Sequence, residues 1–543
     1  MRARDLSRLE LNEFDLLVVG GGIYGLASAY EAASRGLRVA LVEAGDFGSG
    51  ASFNHQKTVH GGLRSLGSGD VRRARESIHE RRALGRIAPW FLRPLPFLIG
   101  TYRSFTRSRL ALAGAFRFDA WLGRHRNDGV EPELHLPAPR LVSKAATLKL
   151  FAGINAAGLT GGAQWYDYQM IESDRLTIAF AAAADRAGAE LANHAEATGA
   201  LKQDGRVVGM RVRDTLSGST LEVRARVTLN AAGSRGGDVM AMFGVSRPFP
   251  LVKAMNLVTS KPASDMALAA PARGGRMLTL VPWRGSAIVG TSQSASLVRP
   301  GDTAVATADV AALIEDANYA FPALHLTTAD VTLVHRGVVP AVVGRDNVPD
   351  LKPSHDILDH AADGIEGAVT VIGAKYTTAR GVAEKVTRVV ARRLDRRVPP
   401  SRTATTTLPG AGIADHEALA IEAARGINLE VPLPVIRHLI ALYADAAPHI
   451  IRLMPQRADL GRPVGAGVAT LGAEVLHVIR HEMALRLADI VVRRTALGSA
   501  RRPPDDAVAE CARIAAAELG WDATRVAEEV AAIRGIYEVG IGD

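Results

Sequence analysis

Cysteine is all but absent from this chain: Cys511 stands alone among 543 residues. That excludes an intramolecular disulfide and any cysteine-built metal centre, and it fits a reducing compartment such as the cytoplasm. Cys511 falls in a helical pattern near the C-terminus and is expected to be structural; no metal site is expected. Aromatic residues make up only 5%, and nowhere do they interleave with basic residues as a single-strand binding groove requires, so nucleic acid is not expected as a partner. Long apolar runs are missing too. No stretch reaches the ~18 apolar residues of a membrane-spanning helix. The opening MRARDLSRLELNEFD lacks the continuous apolar core of a signal peptide.

What is present is an ordinary globular balance, 48% hydrophobic and 22% charged, over a length too great for one core. Two or three domains follow. The formal net charge of +9 favours anionic partners, whether nucleic acid, anionic lipid or phosphorylated small molecules, and cannot choose among them. The segment from Trp90 to Leu122, WFLRPLPFLIGTYRSFTRSRLALAGAFRFDAWL, admits two readings. It lies on a membrane surface with its arginines among headgroups, or it packs on the core with its arginines in solvent.

The clearest element runs from Phe14 to Glu43. FDLLVVG reads as a short buried strand, Ile23 to Ser34 as a helix stopped by a left-handed Gly36, and LRVALVE as a second buried strand. The result is a βαβ unit with a right-handed crossover. A second α/β set runs to about Gly236, with a helix from Asp174 to Ala187, a hairpin at KQDGRVVGMRV and a buried strand at RVTLNAAG. Strands rich in Val, Leu and Thr continue to about Thr332 as a mixed or antiparallel sheet. After RRVPPSRTATTTLPG at 396–410 the pattern turns helical, in the runs VIRHLIALYADA, EVLHVIRHEMALRLADIVVRRTA, DDAVAECARIAAAELG and DATRVAEEVAAIRGIYE. The fold class is therefore α/β: a Rossmann-type dinucleotide-binding domain, an inserted mixed or antiparallel β-sheet substrate domain, and a C-terminal helical domain. The expected boundaries are 1–66, 148–238 and 345–396 for the first, 67–147 and 239–344 for the second, and 397–543 for the third.

Gly20-Gly21-Gly22-Ile23-Tyr24-Gly25 matches G-x-G-x-x-G between strand and helix. Gly20 permits the tight turn, Gly22 lets backbone approach a pyrophosphate, and Gly25 lets helix and strand pack closely. The pyrophosphate would sit on the helix N-terminus, where free N–H groups and the dipole favour anions. Glu43 ends the second strand, where a carboxylate can accept the ribose hydroxyls and would repel a 2′-phosphate. This motif alone leaves FAD and NAD both open.

The segment that follows, GDFGSGASFNHQKTVHGGLRSL, resembles the flavin-dependent glycerol-3-phosphate dehydrogenases, whose pattern is G-D-F-x-S-x-[TS]-S and then K-x-x-H-G-G-x-R. RPLPFLI at 93–99, VPWRG at 281–285, IVGTS at 288–292, NAAG at 230–233, IGAKYTTAR at 372–380 and VIRHEMALRLADIVVRRTALG resemble that family in the same order along nearly the whole chain. The resemblance implies FAD, bound by Gly20, Gly22, Ile23, Tyr24, Gly25, Glu43, Ala44, Ser52, Lys57, His60, Gly61, Gly62, Leu63, Ala197, Ala232, Gly233, Gly373, Lys375, Tyr376 and Thr377. Gly61, Gly62 and Gly373 are expected to let backbone approach the flavin ring. Lys375 is expected to stabilise negative charge on the reduced ring. His60 either accepts the substrate hydroxyl proton or only hydrogen-bonds the flavin. With Arg64 and Arg336 these two complete the expected catalytic set.

The resemblance also implies oxidation of an alcohol or polyol phosphate, electrons passing to a quinone, and peripheral attachment to the inner face of the cell membrane; a homodimer stays open. It breaks at one point. The family carries an arginine before the proline of a G-V-R-P element, and here Gly337-Val338-Val339-Pro340 puts Val339 in its place. A second family arginine is also not evident, KPSHDIL filling 352–358, and Ser65 stands where an aromatic often follows Arg64. The lost arginine keeps one rival alive, a flavoenzyme of the same fold acting on an amine, amino acid or 2-hydroxy acid; a second rival is a basic flavoprotein that binds nucleic acid or acts as a scaffold.

Overall fold

The computed structural model describes residues 1–63, 69–103, 109–151, 153–344, 347–412, 415–427 and 430–538. Strand Glu13–Val19 is buried from Phe14 onward and lies at the centre of a mainly parallel sheet. It pairs in parallel with Val39–Val42 on one side and Thr220–Asn230 on the other. The sheet continues through Ala368–Ile372 to an antiparallel edge at Asp356–Asp359, and through Glu190–Ala192 at the opposite edge. The hairpin Ala195–Gln203 and Arg206–Asp214 joins it along Thr220–Asn230. Strands buried on both faces need helices on both, and their continuous Leu/Val runs reflect that. Helices Ile23–Ser34, Ser173–Arg186 and Ala379–Arg393 share one core with this sheet. The first of these ends where Gly36 takes φ +82.

A ten-stranded, mostly antiparallel sheet stands beside it, running Pro349–Leu351, Val331–Val343, Leu251–Thr259, Ser286–Gln293, Met277–Trp283, Ala267–Pro271, Leu92–Tyr102, Leu159–Met170, Thr58–Val59. Arg140–Ser143 also pairs with Leu159–Met170. Helix Thr307–Ala320 covers one face and builds an apolar core with it. The other face carries Asp167, Phe97, Val281, His335 and Val339 in register. Thr58–Val59, Leu159–Met170 and Pro349–Leu351 belong to this second sheet, so the two sheets interleave along the chain more finely than the expected boundaries. The cause is the length of Leu159–Met170, a 12-residue strand that leads straight into helix Ser173–Arg186 of the first layer.

The C-terminal region is helical, as the periodicity predicts, and includes Leu433–Tyr443, Ala447–Leu453, Gly472–Glu482, Asp505–Leu519 and Ala523–Tyr537. Cys511 is fully buried in its core. One expectation needs correcting: the helical run EVLHVIRHEMALRLADIVVRRTA is not continuous. Met483 takes φ +55, and the Asp489 carboxylate accepts from the Leu485 and Arg486 N–H groups, each at 3.0 Å. A single π-helical turn, Asp489–Arg494, follows.

The segment 90–122 resolves into strand Leu92–Tyr102, inside the second sheet, and helix Arg109–Leu122. On that helix Phe116 is buried, while Phe118 and Trp121 stack at 5.8 Å on the exposed side. Among the described residues no helix is long and apolar enough to cross a membrane.

Candidate active site

The glycine turn is shaped by what a side chain would strike. Gly20 takes φ +110, and a Cβ there would lie 2.5 Å from the Ala231 carbonyl oxygen. A Cβ on Gly25 would come within 1.8 Å of the Gly20 carbonyl oxygen, so helix and strand touch through bare backbone. Gly22 differs. Its Cβ direction meets only the Ser52 hydroxyl at 3.3 Å, which leaves a cradle open beside the helix N-terminus. The Ile23 N–H donates to Ser52 Oγ at 2.9 Å, and helix Ile23–Ser34 has no side-chain cap. Glu43 accepts from the Gly21 and Gly45 N–H groups at 2.6 and 2.8 Å. Burial raises its pKa while those two donors pull it down. Each carboxylate oxygen keeps a second lone pair. Ala44 follows on the chain, Ala197 packs partly buried against the core that includes Val42, and Ala232 and Gly233 lie just past the end of the neighbouring strand, with open space over Gly233. A cradle that a Cβ would fill, an uncapped helix N-terminus and a carboxylate at the strand end fit a dinucleotide.

Beyond this cradle the two sheets face each other. His60 Nδ1 lies 3.2 Å from Asp167 Oδ2, His60 Nε2 lies 2.9 Å from Thr58 Oγ1, and the His60 N–H donates to Thr377 Oγ1 at 3.3 Å. Asp167 is buried and also accepts from the Gly61 N–H at 2.7 Å, from Arg81 and from Trp165 Nε1. Burial alone would raise its pKa. Arg81 and His60 outweigh it and hold the carboxyl below its ordinary value, hence ionised. Lys375 Nζ donates to Ser77 Oγ, and burial pushes its pKa down to about 8 against the pull of Asp167.

Tyr24 donates to the Lys375 carbonyl at 3.1 Å, and the Tyr376 hydroxyl meets Thr177 Oγ1 at 2.9 Å. Burial pushes Tyr24 up to about 12 and Tyr376 higher still, so both stay protonated. Leu63 is half-buried beside Gly62, which takes φ +86. Arg64 and Ser65 lie outside the described residues.

Two glycines are required by a neighbouring side chain of the chain itself. A Cβ on Gly61 would strike Arg81 Nη1 at 2.0 Å, and one on Gly373 would strike the Tyr24 hydroxyl at 2.6 Å. Two expected site residues stand apart from the rest. Lys57 is fully buried, donates to the Phe53 carbonyl and sits 4.3 Å over the Phe53 ring; burial brings it down to about 8. Arg336 pairs across from Met255, whereas Val339 pairs across from Val252, in a ladder without a bulge between them. Its side chain therefore leaves the crevice face, and its guanidinium reaches the Glu538 carbonyl at 3.5 Å.

Sequence reasoning missed Asp167, Arg81 and Ser77. The available signal was alternation in QWYDYQM, which puts Trp165, Asp167 and Gln169 on one face.

The loop after Glu43 is held from the helical region. Asp46 is fully buried and receives both terminal nitrogens of Arg494 at 2.8 and 2.7 Å, and Arg493 Nε at 2.6 Å. His194 Nε2 meets Asp489 at 2.8 Å, and Arg175 meets Glu482 with two bonds of 2.6 and 2.7 Å. The loop in turn donates its Gly48 N–H to Gly21 O at 2.9 Å, inside the glycine turn. The acid and arginines of the HEMALRLADIVVRRT run thus brace the cradle from outside.

Comparison with known proteins gives the family and the fold. A family described as FAD dependent oxidoreductase matches residues 15–389, and the C-terminal domain of alpha-glycerophosphate oxidase matches 401–526. The glycerol-3-phosphate dehydrogenase of Mycobacterium leprae (strain TN) is 31% identical over 540 residues, covering 98% of this chain and 89% of that protein. The glycerol-3-phosphate dehydrogenase of Synechocystis is 30% identical over 522 residues, 91% and 90% of the two chains. Among solved structures, glycerol-3-phosphate dehydrogenase from Bacillus halodurans, complexed with FAD, shares the fold with a TM-score of 0.75 at 22% identity, over 98% of this chain and 96% of that one. Glycine oxidase from Geobacillus kaustophilus aligns with a TM-score of 0.52 at 20% identity over 74% of this chain and all of its own.

Proposed function

This chain belongs to the FAD dependent oxidoreductase family, with a C-terminal domain of the alpha-glycerophosphate oxidase type, and from that premise we propose that it oxidises glycerol 3-phosphate, or a closely related polyol phosphate, to the ketone. Its cofactor is FAD, which supplies a hydride acceptor when bound. The electrons then pass to a quinone.

One observation carries the reading: an ionised Asp167 shared by His60 and Arg81, across from Lys375. With the carboxylate accepting from His60 Nδ1–H, the imidazole is held in the tautomer whose Nε2 is basic. A substrate hydroxyl that displaces Thr58 from Nε2 gives up its proton there. Lys375, a cation below about pH 8, faces the same space and stabilises negative charge that develops as the substrate is oxidised. The cradle beside Gly22 receives the pyrophosphate, the Ser52 hydroxyl giving up the Ile23 N–H to it, and Glu43 holds the adenosine ribose.

The test is anaerobic bleaching of the flavin by a panel of glycerol 3-phosphate, other polyol phosphates, 2-hydroxy acids and amines. The polyol phosphates should bleach it. Bleaching only by an amine or a 2-hydroxy acid overturns the substrate assignment.

Attachment to an anionic membrane surface at the cytoplasmic face belongs to the same reading. It is supported by the +9 charge and by the exposed Phe118–Trp121 pair with Arg124 over the indole. Sedimentation with anionic liposomes should be strong at low salt and weak at high salt; no binding at low salt removes it.

A further inference from the structure

Three histidines meet in the helical region, away from the crevice. His477 and His481 stand one turn apart on helix Gly472–Glu482, so a single face carries both. His449, on helix Ala447–Leu453, faces them. The rings of His449 and His481 lie edge to face with centroids 4.6 Å apart, and their Nε2 atoms are separated by 3.0 Å. The His477 ring is 5.4 Å from His449 and 5.3 Å from His481. One ligand atom from each side chain lies within 4.8 Å of the other two.

His477 is 5% exposed, and its Nδ1 is buried without a hydrogen-bond partner. Its Nε2 lies 3.5 Å from Glu482 Oε1. A buried imidazole nitrogen without a partner calls for an account; nitrogens of His55, His335 and His416 share that state, but of these His477 is the one that meets two further histidines. The Nε2 atoms of His449 and His481 meet as a hydrogen bond when one ring carries its proton there, and without that proton two lone pairs converge on one point.

We propose that His449, His477 and His481 form a binding site for one divalent transition-metal ion, with Zn²⁺ the best match. Neutral imidazole suits Zn²⁺, Cu²⁺ and Ni²⁺, and three protein ligands leave a fourth position for water. The ion engages all three rings at once. It replaces the proton between the Nε2 atoms of His449 and His481, and it gives His477 Nδ1 a partner. The contact between His477 Nε2 and Glu482 is then the carboxylate–imidazole arrangement that orients a metal-bound histidine. Glu482 is itself held by Arg175, on helix Ser173–Arg186 of the dinucleotide layer. The ion therefore sits two side chains from that layer and strengthens the docking of the helical region onto it.

The experiment uses the full FAD-loaded chain, stripped of metal by a chelator and dialysed. Titration with Co²⁺ should show one equivalent of tetrahedral visible absorption, displaced by one equivalent of Zn²⁺, and Zn²⁺ should raise the thermal midpoint. The double variant His449→Gln/His481→Gln should keep its flavin and turnover, lose the Co²⁺ absorption and bind Zn²⁺ at least about 100-fold more weakly. Absence of stoichiometric binding in the wild type, or equal binding in the variant, overturns the site. If the variant does not fold, diethyl pyrocarbonate labelling of the wild type decides. Zn²⁺ should protect His449 and His481 while other accessible histidines still react; unchanged labelling overturns the site.

Discussion

The two walls of the crevice are built by different rules. The wall from the parallel sheet is backbone: a glycine turn, a helix N-terminus and a strand end, all between Glu13 and Glu43. The wall from the ten-stranded sheet is side chain, centred on Asp167, which gathers Gly61, His60 and Arg81 from as far as 107 positions away. A backbone site requires particular residues at fixed spacing, because only glycine fits where chains touch or a ligand lies close. A side-chain site requires only that the sheet bring the right groups to one face. The first is local in sequence; the second exists only once the strands have paired.

The largest expected effect separates two glycines of the backbone wall. Gly25→Ala places a Cβ 1.8 Å from a carbonyl oxygen that cannot move without the turn moving, so folded protein should be lost. Gly22→Val meets only the Ser52 hydroxyl at 3.3 Å, so the chain should fold and come out colourless. Circular dichroism and flavin stoichiometry on both variants check this; like behaviour of the two would erase the distinction between a packing glycine and a ligand glycine.

Next in size is the brace behind that wall. Arg494→Met leaves Asp46 buried with its charge half-paired and should cost about 3–5 kcal/mol. Asp46→Asn in the same chain should recover much of the loss. Burial opposes ionisation of Asp46, but Arg494 and Arg493 hold its pKa below the ordinary value. Its contribution is thus complete above about pH 4 and lost as pH falls through the lower folded value. Urea unfolding at pH 7 and pH 3 should show a smaller acid loss in Arg494→Met than in wild type. An equal acid loss would place the sensitivity elsewhere.

This difference in construction also explains what could be read from the sequence. Helix Ile23–Ser34 is legible to the residue, because glycines bound both ends and each has a steric reason. The helical motif RHEMALRLADIVVRRT is visible as a pattern, but its purpose is not. Its acid and arginines answer Asp46, Arg175 and His194, separated from them by 295 to 448 positions, and its chain breaks at Met483 so that Asp489 can cap the turn. Gly61 shows the limit most clearly. A ligand is the natural explanation for glycine next to His60, yet the Arg81 guanidinium already fills the space a Cβ would need. Only the paired strands reveal that, since Arg81 is placed by Asp167.

The side chain that faces Asp167 from the other wall, Lys375, is tested next. Lys375→Met should slow flavin reduction about 100-fold and change FAD affinity much less, because the cation acts on charge that develops only during reduction. Burial brings its pKa from 10.5 down to about 8. Between those two values the folded chain has released this proton and the unfolded chain has not, so this group's contribution to stability rises with pH. Activity should run the other way: stopped-flow reduction in wild type should fall as pH passes about 8. Lys375→Arg stays charged throughout and should flatten the profile. A profile that persists in Lys375→Arg would remove Lys375 as the group that sets it.

The smallest expected effect bears on which phosphate contacts the side-chain wall supplies. A phosphate dianion in a partly dry pocket needs cations, and an arginine provides two aligned donors that Val339 cannot. Val339 lies on the crevice face of strand Val331–Val343, packed against Val252 and Ala341. Arg336 offers no substitute: the ladder keeps its odd offset from Val339, and its guanidinium is turned to Glu538. Lys352 is near in sequence but is held by Asp356 at 2.7 Å. Among the described residues Lys375 remains, on the opposite side of the crevice; Arg64 lies outside them. Wild type should therefore bind glycerol 3-phosphate weakly for a site of this construction, and Val339→Arg should lower its apparent KM about tenfold, roughly 1.4 kcal/mol, with kcat little changed. The arginine must leave the apolar contact with Val252 to do so, which limits the gain. Steady-state kinetics with glycerol 3-phosphate and with unphosphorylated glycerol give the answer, since only the phosphorylated substrate should improve. An unchanged or higher KM in Val339→Arg, alongside efficient turnover by wild type, would mean that other cations already hold the phosphate and that Val339 marks no gap.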